Sequence, residues 1–187
     1  MGLLDILLGR SKAVPPNLDQ LFSLPSAAIT LDTAAGYRPT GSGSVCFKAA
    51  EGGGFSTLRE EVDNLLALDN GKFTSHTDSY GFTWLVRQTT PDDVEGLVTD
   101  LHAVNTSLVD AGFGSALLCT LVAFTNGSKS LGLVYLYKRG TWYPFVPAGQ
   151  DRRDNATELQ IKSVIGTDLR FEQDLSRWFP IYGAPGL

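Results

Sequence analysis

Cysteine and histidine are scarce, with two of each among 187 residues, and this limits the chemistry open to the chain. His76 and His102 fall on different predicted elements. Neither has a second histidine, a cysteine or a carboxylate at the spacing that a metal site or a catalytic pair requires. Both read as structural, and no metal or other cofactor is expected. Cys46 and Cys119 each sit inside an apolar run, where a free thiol behaves as a small hydrophobe. Two separate, reduced core thiols point to an intracellular protein, since disulfides persist in oxidising compartments. Positive charge is short as well: 15 Lys and Arg against 20 Asp and Glu leave a net charge of −5 and a pI near 4.9. Nucleic acid is therefore not an expected partner, because its sequence-independent attraction comes from cations displacing counterions from phosphates. Long apolar runs are missing too. The longest, residues 116–124, is under half the roughly 20 residues needed to cross a bilayer, so no transmembrane segment is expected. The apolar stretch 3–8 is too short for a signal peptide, has no basic residue before it and no small-residue cleavage site after it. A cytoplasmic location follows, reaching the inner face of the membrane through a partner.

The rest of the composition is that of a globular domain, with 43% hydrophobic residues, 19% charged residues and three tryptophans. A chain this long can bury roughly 70% of its unfolded surface without disulfides or metal. The expected organisation is an amphipathic N-terminal turn and proline linker over 1–16, followed by a single α+β domain over 17–187.

In residues 2–9, Leu3, Leu4, Ile6, Leu7 and Leu8 share one side of a helical wheel, and Pro15-Pro16 then stiffens the link. Asn17 is positioned to cap a short helix that ends before Pro25. Two short strands are expected at 28–31 and 44–49, with a turn around Gly36. Helical period returns over 55–68 through Phe55, Leu58, Val62, Leu65 and Leu66, and Asn70-Gly71 closes it. Strands follow at 72–80 and 81–89. The strongest helix signal starts at Thr90-Pro91-Asp92-Asp93, with Thr90 as the expected cap, and stops at Gly112. Strands at 116–124 and 130–137 flank the Asn126-Gly127 turn, and a strand at 142–146 follows Arg139-Gly140. A last helix spans 155–165, with Asn155 as cap and Glu158 three residues on. Strands joined by short turns pair antiparallel, and helices packed on such a sheet make an α+β fold.

The search for catalytic patterns finds none that hold. Gly52-Gly53-Gly54 precedes a helix but lacks the Gly-Lys-Ser/Thr and Rossmann spacings of phosphate loops. Gly41-Ser42-Gly43-Ser44 lacks the spacing of a nucleophile elbow. Asp92-Asp93 and Glu60-Glu61 are adjacent on helices, where side chains point about 100° apart, and capping and solubility account for them. No catalytic residue is assigned, and the protein is read as not an enzyme. The alternative is a small-ligand binder or enzyme of unknown substrate that uses the region of Gly52 to Gly54 and the Arg152-Arg153 loop.

Two surfaces suit binding. The N-terminal turn, carried by Leu3, Leu4, Leu7 and Leu8, is too short to be stable alone and must dock on the body, on a partner, on a second copy or peripherally on a membrane. The C-terminal part is rich in rings and arginine, a composition enriched at interfaces. Core packing is expected for most of its rings (Trp142, Tyr143, Phe145 and Tyr182 among them), while Arg177, Trp178 and Phe179 are the candidate partner-binding residues.

The opening Met-Gly-Leu-Leu-Asp-Ile-Leu-Leu-Gly-Arg-Ser-Lys to Lys12, the segment Leu-Pro-Ser-Ala-Ala-Ile-Thr-Leu from Leu24 and the ending Asp-Leu-Ser-Arg-Trp-Phe-Pro-Ile-Tyr-Gly-Ala-Pro from Asp174 resemble the PspA-associated PspAB family of actinobacteria. Tyr182 stands where tryptophan is expected. The resemblance implies association with phage-shock protein A, a coiled-coil, membrane-remodelling protein of the envelope stress response. It carries no catalytic or ligand residue with it. The order of elements also resembles the layout of secretion chaperones, whose sheet and helices offer a surface to peptides.

Overall fold

A computed structural model describes residues 17–48, 60, 62, 64 and 73–187. The amphipathic N-terminal turn and its proline linker, the Gly52 to Gly54 loop and most of the predicted 55–68 helix lie outside the described residues. Glu60, Val62 and Asn64 are helical, in keeping with that helix.

Six strands form one antiparallel sheet: β1 (Arg38–Phe47), β2 (Phe73–Thr77), β3 (Thr83–Gln88), β4 (Leu117–Thr125), β5 (Ser130–Leu136) and β6 (Thr141–Phe145). Their spatial order is β2-β3-β1-β4-β5-β6, so β1 sits centrally between two hairpin-built halves. Besides helical Glu60, Val62 and Asn64, three α-helices lie among the described residues, α1 (Leu24–Ala35), α2 (Val94–Asp110) and α3 (Asn155–Ile165), with short 3₁₀ turns at Leu18–Ser23 and Leu175–Arg177. The α+β layout read from the sequence is the layout observed.

The expected strand at 28–31 is instead the middle of α1. Pro25 lies in the first turn of that helix, where its missing N–H costs nothing, so it opens a helix rather than ending one. The buried residues Leu24, Ala27, Ala28 and Leu31 recur at helical spacing. Gly36, at φ 68°, supplies the left-handed stop. Two caps also move. Asp93, not Thr90, caps α2, accepting from the Gly96 amide at 3.0 Å. Asp154, not Asn155, caps α3, accepting from the Thr157 amide at 3.0 Å. In both cases a carboxylate reaches the third helical amide and satisfies it more strongly than a neutral side chain.

Alternation along the strands divides the sheet into two faces. On one face, Val45, Leu85, Thr120, Tyr135 and Trp142 lie in cross-strand register. Gly43 shares this face, and a Cβ there would come within 2.8 Å of the Leu101 side chain of α2, so the glycine lets the helix sit down on β1. Buried Asn105 of α2 donates to the Leu101 carbonyl at 2.8 Å and to the Thr120 hydroxyl at 3.0 Å, fixing helix to sheet. The other face presents Cys46, Trp84, Cys119 and Leu136 in one row and Ser44, Val86, Leu121, Val134 and Tyr143 in the next. No described helix covers it. The C-terminal tail after α3 does: Trp178 stacks on Tyr143, Tyr182 meets Phe145 edge-on, and Leu187 reaches the place where a Gly132 Cβ would stand.

A cavity beneath the C-terminal tail

The tail is pinned by polar groups that follow from its sequence. Phe171 makes a parallel bridge with Trp142, and the two flanking hydrogen bonds, from the Trp142 amide to the Arg170 carbonyl and from the Glu172 amide to the Trp142 carbonyl, are both 2.8 Å. The Glu172 carboxylate, buried at 3% exposure, accepts from Arg139 Nε at 2.9 Å, the Thr141 hydroxyl at 3.1 Å and the Asp174 amide at 3.1 Å. Burial pushes this carboxyl up, but those donors outweigh it and hold it below its ordinary value. Trp178 donates its indole N–H to the Glu172 carbonyl at 3.0 Å, and the Tyr143 hydroxyl donates to the Phe179 carbonyl at 2.9 Å. Arg153 Nε reaches both oxygens of buried Glu158 at 2.9 Å, and its Nη1 reaches the Trp178 carbonyl at 2.5 Å. Glu158 is raised by burial, with the Val146 amide and Arg153 opposing.

Between tail and sheet lies a cavity of about 660 Å³, within the range of small-molecule sites. Its floor is Cys46, Trp84, Cys119, Leu136 and Tyr143 from the sheet. Phe179, Pro180, Ile181 and Tyr182 of the tail form the roof. The β2–β3 turn adds Asp78, Tyr80 and Phe82, and the β5–β6 turn adds Lys138 and Arg139, with Arg177 beside them. Two exposed aromatic residues lie at the mouth, Tyr80 at 65% and Phe179 at 56%.

Asp78 is spent internally. Its carboxylate accepts from the Tyr80 and Phe82 amides and the Trp84 indole, each at 2.9 Å. Burial alone would raise it, yet these donors carry it below the usual carboxylate range. Cys46 and Cys119 are both free and buried, as their apolar settings predict. They are not separate, however. The β1–β4 register places them directly opposite one another. The neighbouring Cys119 thiol, together with burial, pushes the Cys46 thiol far up, so it is a poor nucleophile at neutral pH.

Of the predicted partner-binding residues, Arg177 and Phe179 meet at this mouth, whereas Trp178 between them is 5% exposed and turns inward to hold the tail. Trp142, Tyr143 and Phe145 are fully buried, as expected of core rings. Leu3, Leu4, Leu7 and Leu8 fall outside the described residues. In the alternative ligand loop the Arg153 guanidinium is bonded to Glu158 and to backbone carbonyls, and the Gly52 to Gly54 part lies outside the described residues. His102 packs against Phe22 at 4.9 Å and lies 3.5 Å from Asp19, and no group of three metal-ligating side chains occurs among the described residues. Nor is any described helix long and apolar enough to cross a membrane. The sequence reading missed the cavity itself. Its walls come from β1, β3, β4, β5, β6 and the tail, and only the strand register brings them together.

No curated protein and no solved structure matches the chain, so the likeness to secretion chaperones rests on the order of elements alone. The family comparison does find a match, and it spans the same opening, middle and ending strings that carry the resemblance: residues 1–186 match the model of PspA associated protein B, and the chain belongs to that PspAB family.

Proposed function

We propose that this chain is a non-catalytic adaptor that binds a component of the phage-shock envelope stress system, with a PspA-type protein as the direct partner. Membership of the PspA-associated family names the candidate partner. The observation that favours a binding surface is the mouth of the cavity, where Tyr80 and Phe179 are each more than half exposed near the cations of Lys138, Arg139 and Arg177. Exposed rings beside arginine are the composition from which interface hot spots are drawn. Under this reading the protein works in the cytoplasm and reaches the membrane's inner face through its partner.

Capture with the tagged full chain from its own host under membrane stress tests the proposal. Recovery of the PspA-type protein, reduced by Phe179→Ala and Arg177→Glu, supports it. Recovery of no phage-shock component from stressed cells sinks it.

A further inference from the structure

We infer that the cavity beneath the tail binds a single-chain amphipathic anion, an aliphatic carboxylate whose hydrocarbon lies on the sheet and whose head group sits at the mouth beside Lys138. This inference goes beyond the partner-binding reading and can be tested on the chain alone.

The chemistry of the lining selects the ligand. The nitrogen and oxygen groups on the floor already have partners within the protein: the Trp84 indole donates to Asp78 and the Tyr143 hydroxyl to Phe179, while Cys46 and Cys119 stand opposite each other as weakly polar thiols. The buried side-chain groups that lack partners, on Tyr37, Ser44 and Trp142, lie elsewhere. An occupant of the interior thus meets hydrocarbon and aromatic surface with no unmet hydrogen bond, which favours an unfunctionalised chain.

The mouth is different. Its acids already accept hydrogen bonds from within the protein: Asp78 from two amides and an indole, and neighbouring Asp174 from the Ser176 amide and hydroxyl and from Arg177 Nε. Arg139 and Arg177 each commit Nε to a carboxylate, and their terminal N–H groups have no hydrogen-bond acceptor among the described residues. Lys138 is exposed and makes no ion pair among the described residues. What remains at the opening is the Lys138 ammonium together with the neutral Tyr80 and Tyr182 hydroxyls, donors that match a carboxylate.

The test is calorimetric titration of the full chain with octanoate, decanoate and dodecanoate below their micelle concentrations, alongside octanol and octyltrimethylammonium. The expected result is one site per chain, with binding tightening roughly fourfold per added methylene. Octanol binds at least about tenfold more weakly than octanoate, as befits loss of a charge-assisted contact, and the ammonium amphiphile gives no saturable heat. Lys138→Glu, an exposed substitution that leaves the melting temperature in place, weakens dodecanoate about fivefold or more and leaves octanol unaltered. Absence of saturable binding to the full chain overturns the inference, as does equal binding of the ammonium compound or indifference to Lys138→Glu. Co-sedimentation with phosphatidylglycerol vesicles without binding of free dodecanoate would make the ligand a lipid surface and refute the free amphiphile. Binding that arises only after removal of residues 1–12 would assign the cavity to the chain's own N-terminal leucines, and the inference falls in that case too.

Discussion

Trp178→Ala should detach the tail from the sheet, and its cost can be worked from the contacts. The ring is 5% exposed and stacks on Tyr143 with centroids 6.2 Å apart at an interplanar angle of 24°. Truncating a buried tryptophan typically costs about 3–5 kcal/mol through lost transfer energy and the void left behind. The same change strands the Glu172 carbonyl, which loses its indole donor, a loss of about 1 kcal/mol. The two effects overlap, so a total of about 4 kcal/mol is expected, a large share of a typical domain's 5–15 kcal/mol. Urea unfolding followed by circular dichroism measures the total. Hydrogen exchange shows where it is lost: amides of 179–187 should exchange much faster in the variant, while those of β1 and β4 stay protected until global unfolding. Trp178→Phe keeps the stacked ring but not the indole donor and should cost clearly less than the alanine variant. A loss below about 1 kcal/mol for Trp178→Ala, or tail amides no faster than in the wild type, would refute the claim that this ring secures the roof of the cavity.

Acid should destabilise the fold in a manner traceable to Glu172. Its folded value lies below the ordinary carboxyl value, so its stabilisation is complete above about pH 4.3 and is lost as pH falls through the lower folded value; Asp154, lowered by Lys129 and its cap hydrogen bonds, acts with the same sign. Glu158, which is raised, has the opposite sign: its contribution is present at low pH and declines as pH rises through its folded value. Thermal melts from pH 7 to 3 should show a shallower fall for Glu172→Gln than for wild type, and parallel curves would contradict the assignment. Cys46 and Cys119 should resist alkylation in the native protein yet lie close enough to be joined by a strong thiol oxidant, because directly paired strand residues fall within disulfide reach; fast labelling of either thiol, or cross-linking only between molecules, would argue against the register. Changing Leu4 and Leu8 together to Asp should leave the melting temperature nearly unchanged while weakening partner association, since burying each leucine is worth roughly 1.5–3 kcal/mol; a clear drop in melting temperature would mean that those leucines dock on the body instead.

Elements whose signals are local were legible in the sequence. The α3 boundaries and the β4–β5 hairpin about Asn126-Gly127 depend on periodicity and turn chemistry within a few residues, and both are found where expected. The segment 28–31 was misread because Ile29, Thr30 and Leu31 are β-prone side by side, while the evidence for helix came from alanine spacing and from Gly36 farther along. The two caps stand three residues and one residue from the expected positions because several capping side chains stand together and only geometry decides among them. The cavity was not legible at all. Cys46 and Cys119 are neighbours only because β1 and β4 align them, and Trp178 points inward only because Tyr143 and the Glu172 carbonyl await it. Composition marked the tail as a place of interest, but it could not tell the ring that builds the site from the flanking Arg177 and Phe179 that face its mouth.

The most direct test of the adaptor reading is a titration of the purified full chain against a purified PspA-type protein from the same cell, comparing wild type with Arg177→Glu and Phe179→Ala. Saturable binding by the wild type, weakened at least about tenfold by each variant while their melting temperatures hold, is the predicted result. No binding by the wild type, or equal binding by all three, would contradict it.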